Sequence, residues 1–284
     1  MSEPLRRLGS MLGTPVFATA TGAARAVLVS DLHLQTADDP AFVRLRGALQ
    51  VARRQQAVAV LLGDVFDSFA SPRQVTVGVW AAVAAALDGF TAAGGRLFVL
   101  HGNRDFLLGA SFAAASGATV VPGALQIDLG GVPTLLAHGD EFCVRDVPYL
   151  RAKKLLRSRF VKWLSDTLPQ RAALAIAERA RARSRRSVPR GVMGGDQLRF
   201  LPTAAAVGSA FAFGARRVVF GHIHRHGRGE LPGGSYAVLP AFDAAGVGFV
   251  VDAQALVSVQ FTAEGLAEPT AEPGPCPFGP DLPA

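Results

Sequence analysis

Five short apolar segments each end on side chains able to bind a metal ion, and that repetition constrains the chain more than its length or charge does. Residues 26–29 lead into Asp31-Leu32-His33, and residues 57–62 into Gly63-Asp64. Residues 96–100 lead into Gly102-Asn103-Arg104-Asp105, residues 132–137 into His138-Gly139-Asp140, and residues 217–220 into Gly221-His222-Ile223-His224. Short β-branched runs bounded by glycine read as buried strands. Between them, Phe42, Leu45 and Leu49 recur at helical spacing over 42–54, and an Ala/Val-rich helix is expected over 74–92, stopped by Gly94-Gly95. Strands alternating with helices predict an α/β class. In open α/β sheets ligands gather beyond the carboxyl ends of strands, so the five tips should converge. Alternate residues of an extended tip can face one way, which would aim Asp31 with His33 and His222 with His224.

Asp, Asn and His suit divalent ions such as Mn²⁺, Fe²⁺ or Zn²⁺, whereas a softer site would call for thiolates. Singly the fragments mean little: an Asp-x-His at a strand end is usually a turn with a solvated histidine, and Gly-Asp is usually only a turn. Jointly they mean more, because all five follow strands in one chain and hold four of its six histidines.

The order of motifs resembles the calcineurin-type metallophosphoesterases over about residues 25–255. That resemblance implies an αββα sandwich, two mixed sheets flanked by helices, holding two divalent ions. By the resemblance Asp64 bridges the ions, with Asp31, His33 and His224 on one and Asn103, His138 and His222 on the other. Arginine at 104, in His101-Gly102-Asn103-Arg104-Asp105-Phe106, narrows the likeness to the UDP-2,3-diacylglucosamine pyrophosphohydrolases of the lipid A pathway. These hydrolyse the pyrophosphate by water attack on the α-phosphorus, releasing UMP and 2,3-diacylglucosamine 1-phosphate. Arg104, always charged and able to fork two donors onto phosphate oxygens, would then be catalytic alongside Asp64, with Asp105 expected to orient it. Manganese is the expected metal.

The segment 145–190 carries fourteen Lys/Arg against Asp146, Asp166 and Glu178, with Leu155, Leu156, Phe160, Trp163 and Leu164 interleaved. It reads as a helical cap inserted over the site. Its basic residues could be merely solvated, could bind nucleic acid beside stacking aromatics, or could meet phosphates and an anionic leaflet while apolar residues receive acyl chains. The resemblance favours the last, with Asp146, Tyr149, Ser184 and Arg185, together with Asn103, Arg104 and His222, contacting the UDP-sugar. No nucleic-acid partner is then expected. A nuclease or phosphodiesterase on the same metals, or a metal-free scaffold on the same fold, are the competing readings.

Charge and cysteines place these expectations in a cell. Lys and Arg exceed Asp and Glu by 29 to 22, and a pI near 10.4 suits an anionic partner. Cys143 and Cys276 stand far apart, which argues against a disulfide framework and for a reducing compartment. Cys143 is expected to be a buried small side chain, His101 a structural histidine and Cys276 incidental. A protein on the cytoplasmic face of the inner membrane, peripherally attached, is the consistent location. Gly9, Gly13 and Pro15 break the weakly apolar start, so residues 1–24 are expected to be a disordered extension, not a signal peptide. Residues 263–284, rich in Pro, Gly and Glu, are expected to be a disordered tail, leaving 25–262 as the catalytic domain. Phe69 and the run from Pro240 to Asp243 depart from the family's usual residues.

Overall fold

The computed structural model describes residues 3–158, 161, 165, 167 and 197–281. Fourteen strands in the described residues form two seven-stranded sheets. One sheet has the order β14-β13-β12-β3-β4-β5-β6, formed from Ala267–Pro269, Leu256–Phe261, Val247–Val251, Ala26–Val29, Val58–Leu61, Leu97–Leu100 and Thr119–Val121. The other runs β1-β2-β7-β8-β9-β11-β10, from Leu5–Met11, Thr14–Thr19, Ala124–Leu129, Val132–Ala137, Arg217–Phe220, Gly234–Val238 and Gly227–Leu231. In the first sheet β3, β4, β5 and β6 are parallel, and β12 to β14 close it antiparallel.

Period-2 alternation assigns the two faces of each central strand to different layers. Ala26, Leu28, Val58, Val60, Phe98 and Leu100 turn inward and pack against Leu125, Ile127, Leu136, Val219, Ala237 and Leu239 of the other sheet. The alternate residues Val27, Val29, Ala59 and Leu61 face helices α1 (Pro40–Arg54) and α2 (Gly78–Ala92), meeting Leu45, Leu49, Val83 and Leu87. On the far side of the second sheet, Leu135, Val218, Phe220 and Val238 are covered by Ala206, Val207 and Ala210. Helix, sheet, sheet, helix is the αββα order. The long helix expected over 74–92 is divided: Pro72–Thr76 is a 3₁₀ turn closed by a Ser71–Gln74 capping box, and extended Val77 separates it from α2.

Both ends correct the expectation of disorder. Residues 5–19 form a hairpin that extends the second sheet, with β2 parallel to β7. Gly13 is no breaker here. Leu12 (φ 50°) and Gly13 (φ 83°) form the two-residue turn, a loop whose positive φ values match the strand twist. Met11, Val16 and Ala18 are buried beneath it. At the other end β14 pairs with β13, and the proline-rich run that follows lies along the second sheet. There Cys276 is buried, Phe278 packs on Tyr236, and Gly279 bridges to Thr203. Spaced apolar residues in a proline-rich segment suffice to pin it, so Cys276 is a packing residue. Of the cap expected over 145–190, helix α4 (Val147–Leu156) is described; Ser184, Arg185 and the second helix expected near 171–183 lie outside the described residues.

Candidate metal centre

The five strand tips meet, three from the first sheet (β3, β4, β5) and two from the second (β8, β9), so the site sits across the sandwich. The route differs from that expected of pleated tips. Asp31, His33, Asp64, His222 and His224 all take positive φ, between 47° and 70°. Only two other non-glycine residues among those described do so, Leu12 and Gln56. The tips therefore turn through left-handed kinks, which Asp and His tolerate better than branched residues, at about 1–3 kcal/mol each. Backbone bonds hold the kinks: Leu32 and His33 N–H donate to the Asp64 carbonyl at 2.9 and 3.0 Å, and Gly221 N–H to the His138 carbonyl at 2.9 Å.

Two donor groups result, each with ligand atoms within 4.8 Å of one another: Asp31, His33 and His224, and Asp31, Asp64 and His138. Asp64 faces both histidines at the centre, Oδ2 at 3.5 Å from His33 Nε2 and Oδ1 at 3.7 Å from His138 Nε2. Asn103 Oδ1 is 2.9 Å from His138 Nε2. His224 Nε2 is 3.4 Å from Asp31 Oδ1. His222 donates its backbone N–H to Asp31 Oδ2 at 2.9 Å, and its ring lies 5.0 Å from that of His138. All seven sequence-expected ligands are thus gathered in one place. Glycine makes the crowding possible, since a Cβ at Gly102 would sit 2.1 Å from Asp64 Oδ1 and one at Gly221 2.5 Å from Asp31 Oδ2.

A divalent ion fits what these groups lack. Asp31 Oδ1 and His33 Nε2 are buried, face this centre, and have no hydrogen-bond partner among the described residues. Buried polar atoms are normally satisfied, so an unmet acceptor and ring nitrogen aimed at one point suit a cation. Burial pushes the Asp31 and Asp64 carboxyls up, yet the neighbouring histidines outweigh it and hold both below the usual range. Burial opposes charge on His138, but Asp64, Asp31 and Asp140 raise it to about 9. Burial and the charge of His138 push His222 down to about 4.

Arg104 is anchored beside the centre. Its Nε lies 3.3 Å from Asp64 Oδ2, and its Nη1 donates to Asp67. Asp105 does not orient it, contrary to expectation. The buried Asp105 carboxylate instead accepts backbone N–H bonds from Gly102 (2.9 Å) and Val65 (2.7 Å), lacing two tip loops together; burial and the charge of Asp64 raise it to about 6. Asp67, two residues before Phe69, holds the guanidinium and went unassigned in the sequence. Asp243 was also missed; its Oδ2 is 2.9 Å from His33 Nδ1.

Helix α4 is fixed to this centre. Asp146 caps α4, accepting from Tyr149 N–H at 3.3 Å. Tyr149 donates its hydroxyl to buried Asp140 and stacks on His222 with ring centroids 6.4 Å apart. Lys153 pairs with Asp140 at 2.9 Å, and Arg157 donates to the Gly102 carbonyl at 3.2 Å. Asp140 is thus the anchor that the His138-Gly139-Asp140 motif did not reveal. Cys143 is buried and donates to the Phe200 carbonyl at 3.1 Å, and His101 Nε2 reaches the Leu108 carbonyl at 2.7 Å, both as expected.

Residues 24–226, carrying all five tips, match the calcineurin-like phosphoesterase family. The chain belongs to that family. Among curated proteins, this calcineurin-like phosphoesterase is 32% identical over 240 residues to the UDP-2,3-diacylglucosamine hydrolase of Ralstonia nicotianae, covering 82% of this chain and 88% of that protein. It is 33% identical over 252 residues to the protein of the same name from Pseudomonas fluorescens, covering 86% and 99%. The Pasteurella multocida protein of that name is 31% identical over 209 residues, covering 73% and 85%.

Proposed function

We propose that this phosphoesterase is a UDP-2,3-diacylglucosamine hydrolase, cleaving the pyrophosphate by water attack on the α-phosphorus to give UMP and 2,3-diacylglucosamine 1-phosphate. The observation that carries the reading is a buried, incompletely satisfied donor cluster with a carboxylate-clamped arginine at its edge. The names of its relatives supply the substrate. Asp31, His33 and His224 would hold one divalent ion and Asn103, His138 and His222 the other, with Asp64 between them. Two such ions lower the pKa of water and neutralise phosphate charge. Manganese is our choice, in keeping with oxygen and imidazole donors and no thiolate.

The remaining work falls to the chain itself. Arg104, fixed on one side by Asp67 and Asp64, presents its free N–H groups to phosphate oxygens. Asn103 and His222 border the same space and are assigned to the α-phosphate. Tyr149, held by Asp140 and by the Asp146-capped helix, walls the UDP-glucosamine side; Ser184 and Arg185 are assigned there by resemblance. Helix α4 carries exposed Arg151 and Lys154 beside exposed Leu155 and Leu156, a pairing suited to an anionic lipid surface. No helix among the described residues is long and apolar enough to cross a membrane, and we assign peripheral attachment to the cytoplasmic face of the inner membrane.

The test is turnover of UDP-2,3-diacylglucosamine with Mn²⁺, set against bis-p-nitrophenyl phosphate and single-stranded DNA. The expected result is preference for the lipid by several orders of magnitude in kcat/KM. Faster hydrolysis of DNA would replace the assignment with a nuclease.

A further inference from the structure

We infer that Asp243 is a positioning residue of the metal centre, locking the His33 ring so that its Nε2 lone pair faces the ion. The inference rests on the metal-dependent reading above and goes beyond it by adding a residue that the five motifs do not contain. Asp243 Oδ2 stands 2.9 Å from His33 Nδ1, across 210 residues of sequence. An ionised carboxylate only accepts, so the hydrogen of this bond belongs to Nδ1. A neutral imidazole protonated at Nδ1 has its lone pair on Nε2. That atom is the buried, unsatisfied nitrogen lying 3.5 Å from Asp64 Oδ2 and 3.9 Å from Asp31 Oδ1.

Asp243 is itself held in place. Its N–H donates to the Asp31 carbonyl at 3.3 Å, and that of buried Phe242 donates to the Ser30 carbonyl at 3.0 Å. Arg44 Nη2 in α1 donates to the Asp243 carbonyl at 3.0 Å. The carboxylate is therefore referenced to the same loop that carries Asp31 and His33. His138 shows the same arrangement by other means, its Nδ1 lying 2.9 Å from the Leu62 carbonyl, which also only accepts. A backbone carbonyl serves one ion and a side chain from the far end of the chain serves the other. Partners of this kind commonly contribute about 10–100-fold in metal affinity. The Asp243 side chain is 41% exposed, so its truncation leaves no core cavity.

The experiment is a competitive titration of metal-free, full-length protein with Mn²⁺ against a fluorescent chelator, for wild type, Asp243→Ala and Asp243→Asn. In Asp243→Ala one of two binding steps should weaken by about 10–100-fold while the other stays within a few-fold. Asp243→Asn keeps an acceptor oxygen and should recover most of that loss. In ¹⁵N spectra of the metal-free protein, recorded at a pH high enough for the His33 ring to be neutral, His33 should be the Nδ1–H tautomer in wild type and a tautomer mixture in Asp243→Ala. Unchanged binding in Asp243→Ala, equal weakening of both steps, or an Asn variant as poor as Ala would each overturn the inference. Two-step metal binding that depends on Asp243 without turnover of UDP-2,3-diacylglucosamine would instead overturn the substrate assignment and leave Asp243 in its role.

Discussion

Replacing Arg104 separates phosphate recognition from metal binding, because the structure gives its guanidinium two carboxylate partners and leaves the rest of its edge free. Nε faces Asp64 at 3.3 Å, Nη1 is bonded to Asp67, and the side chain is about one-third exposed. The cation is thus pre-positioned, and little reorganisation is needed when phosphate charge develops beside it. Losing one such donor set costs about 2.7–4 kcal/mol of transition-state stabilisation, or roughly 100–1,000-fold in rate. Arg104→Ala should therefore lower kcat by that factor. The ions should stay, since removing a cation from beside Asp64 makes that carboxylate a better ligand. Lysine supplies charge without the fork and cannot serve Asp67, Asp64 and phosphate together, so Arg104→Lys should recover only part of the rate. Steady-state kinetics with UDP-2,3-diacylglucosamine, paired with metal analysis of the same samples, measures both quantities. A rate loss under tenfold, or loss of both ions with the arginine, would refute the assignment.

Asp64→Ala should abolish nearly all turnover and reduce bound metal, because its two oxygens face His33 and His138; retention of a tenth of wild-type kcat would contradict a shared ligand. Metal binding should tighten as pH rises from neutral to about 9. His138, raised to about 9, and His33, also raised, hold protons below their pKa that an ion must displace, while His222, held near 4, releases none. A chelator titration that gives the same affinity across that range would exclude the competition. Stripping metal should lower Tm by several degrees, since each site filled at 100 times its Kd adds about 2.7 kcal/mol to the folded state; equal melting curves with and without Mn²⁺ would count against a specific centre.

What the sequence disclosed and what it hid divide along physical lines. Strands β8 and β9 begin and end where apolar runs meet glycine and histidine, so hydrophobic pattern and punctuation located them, and with them His138, His222 and His224. The hairpin of residues 5–19 was hidden because Gly13 reads equally as a breaker or as a turn residue. Only its pairing with β7 decides between them. Asp67, Asp140 and Asp243 were hidden for another reason: each acts on a side chain brought near by the fold, and no spacing along the chain encodes that proximity. The kinks at Asp31, His33, Asp64, His222 and His224 were the deepest omission. A run of apolar residues ending in Asp-x-His looks extended, yet every one of these ligands is left-handed. Five such residues, at about 1–3 kcal/mol each, concentrate backbone strain at the metal ligands. Elsewhere the described residues carry only two comparable kinks, one of them the hairpin turn. That strain is held at the ligands by the backbone bonds of Leu32 and His33 to Asp64 and of Gly221 to His138, so the kinks survive as fixed parts of the site.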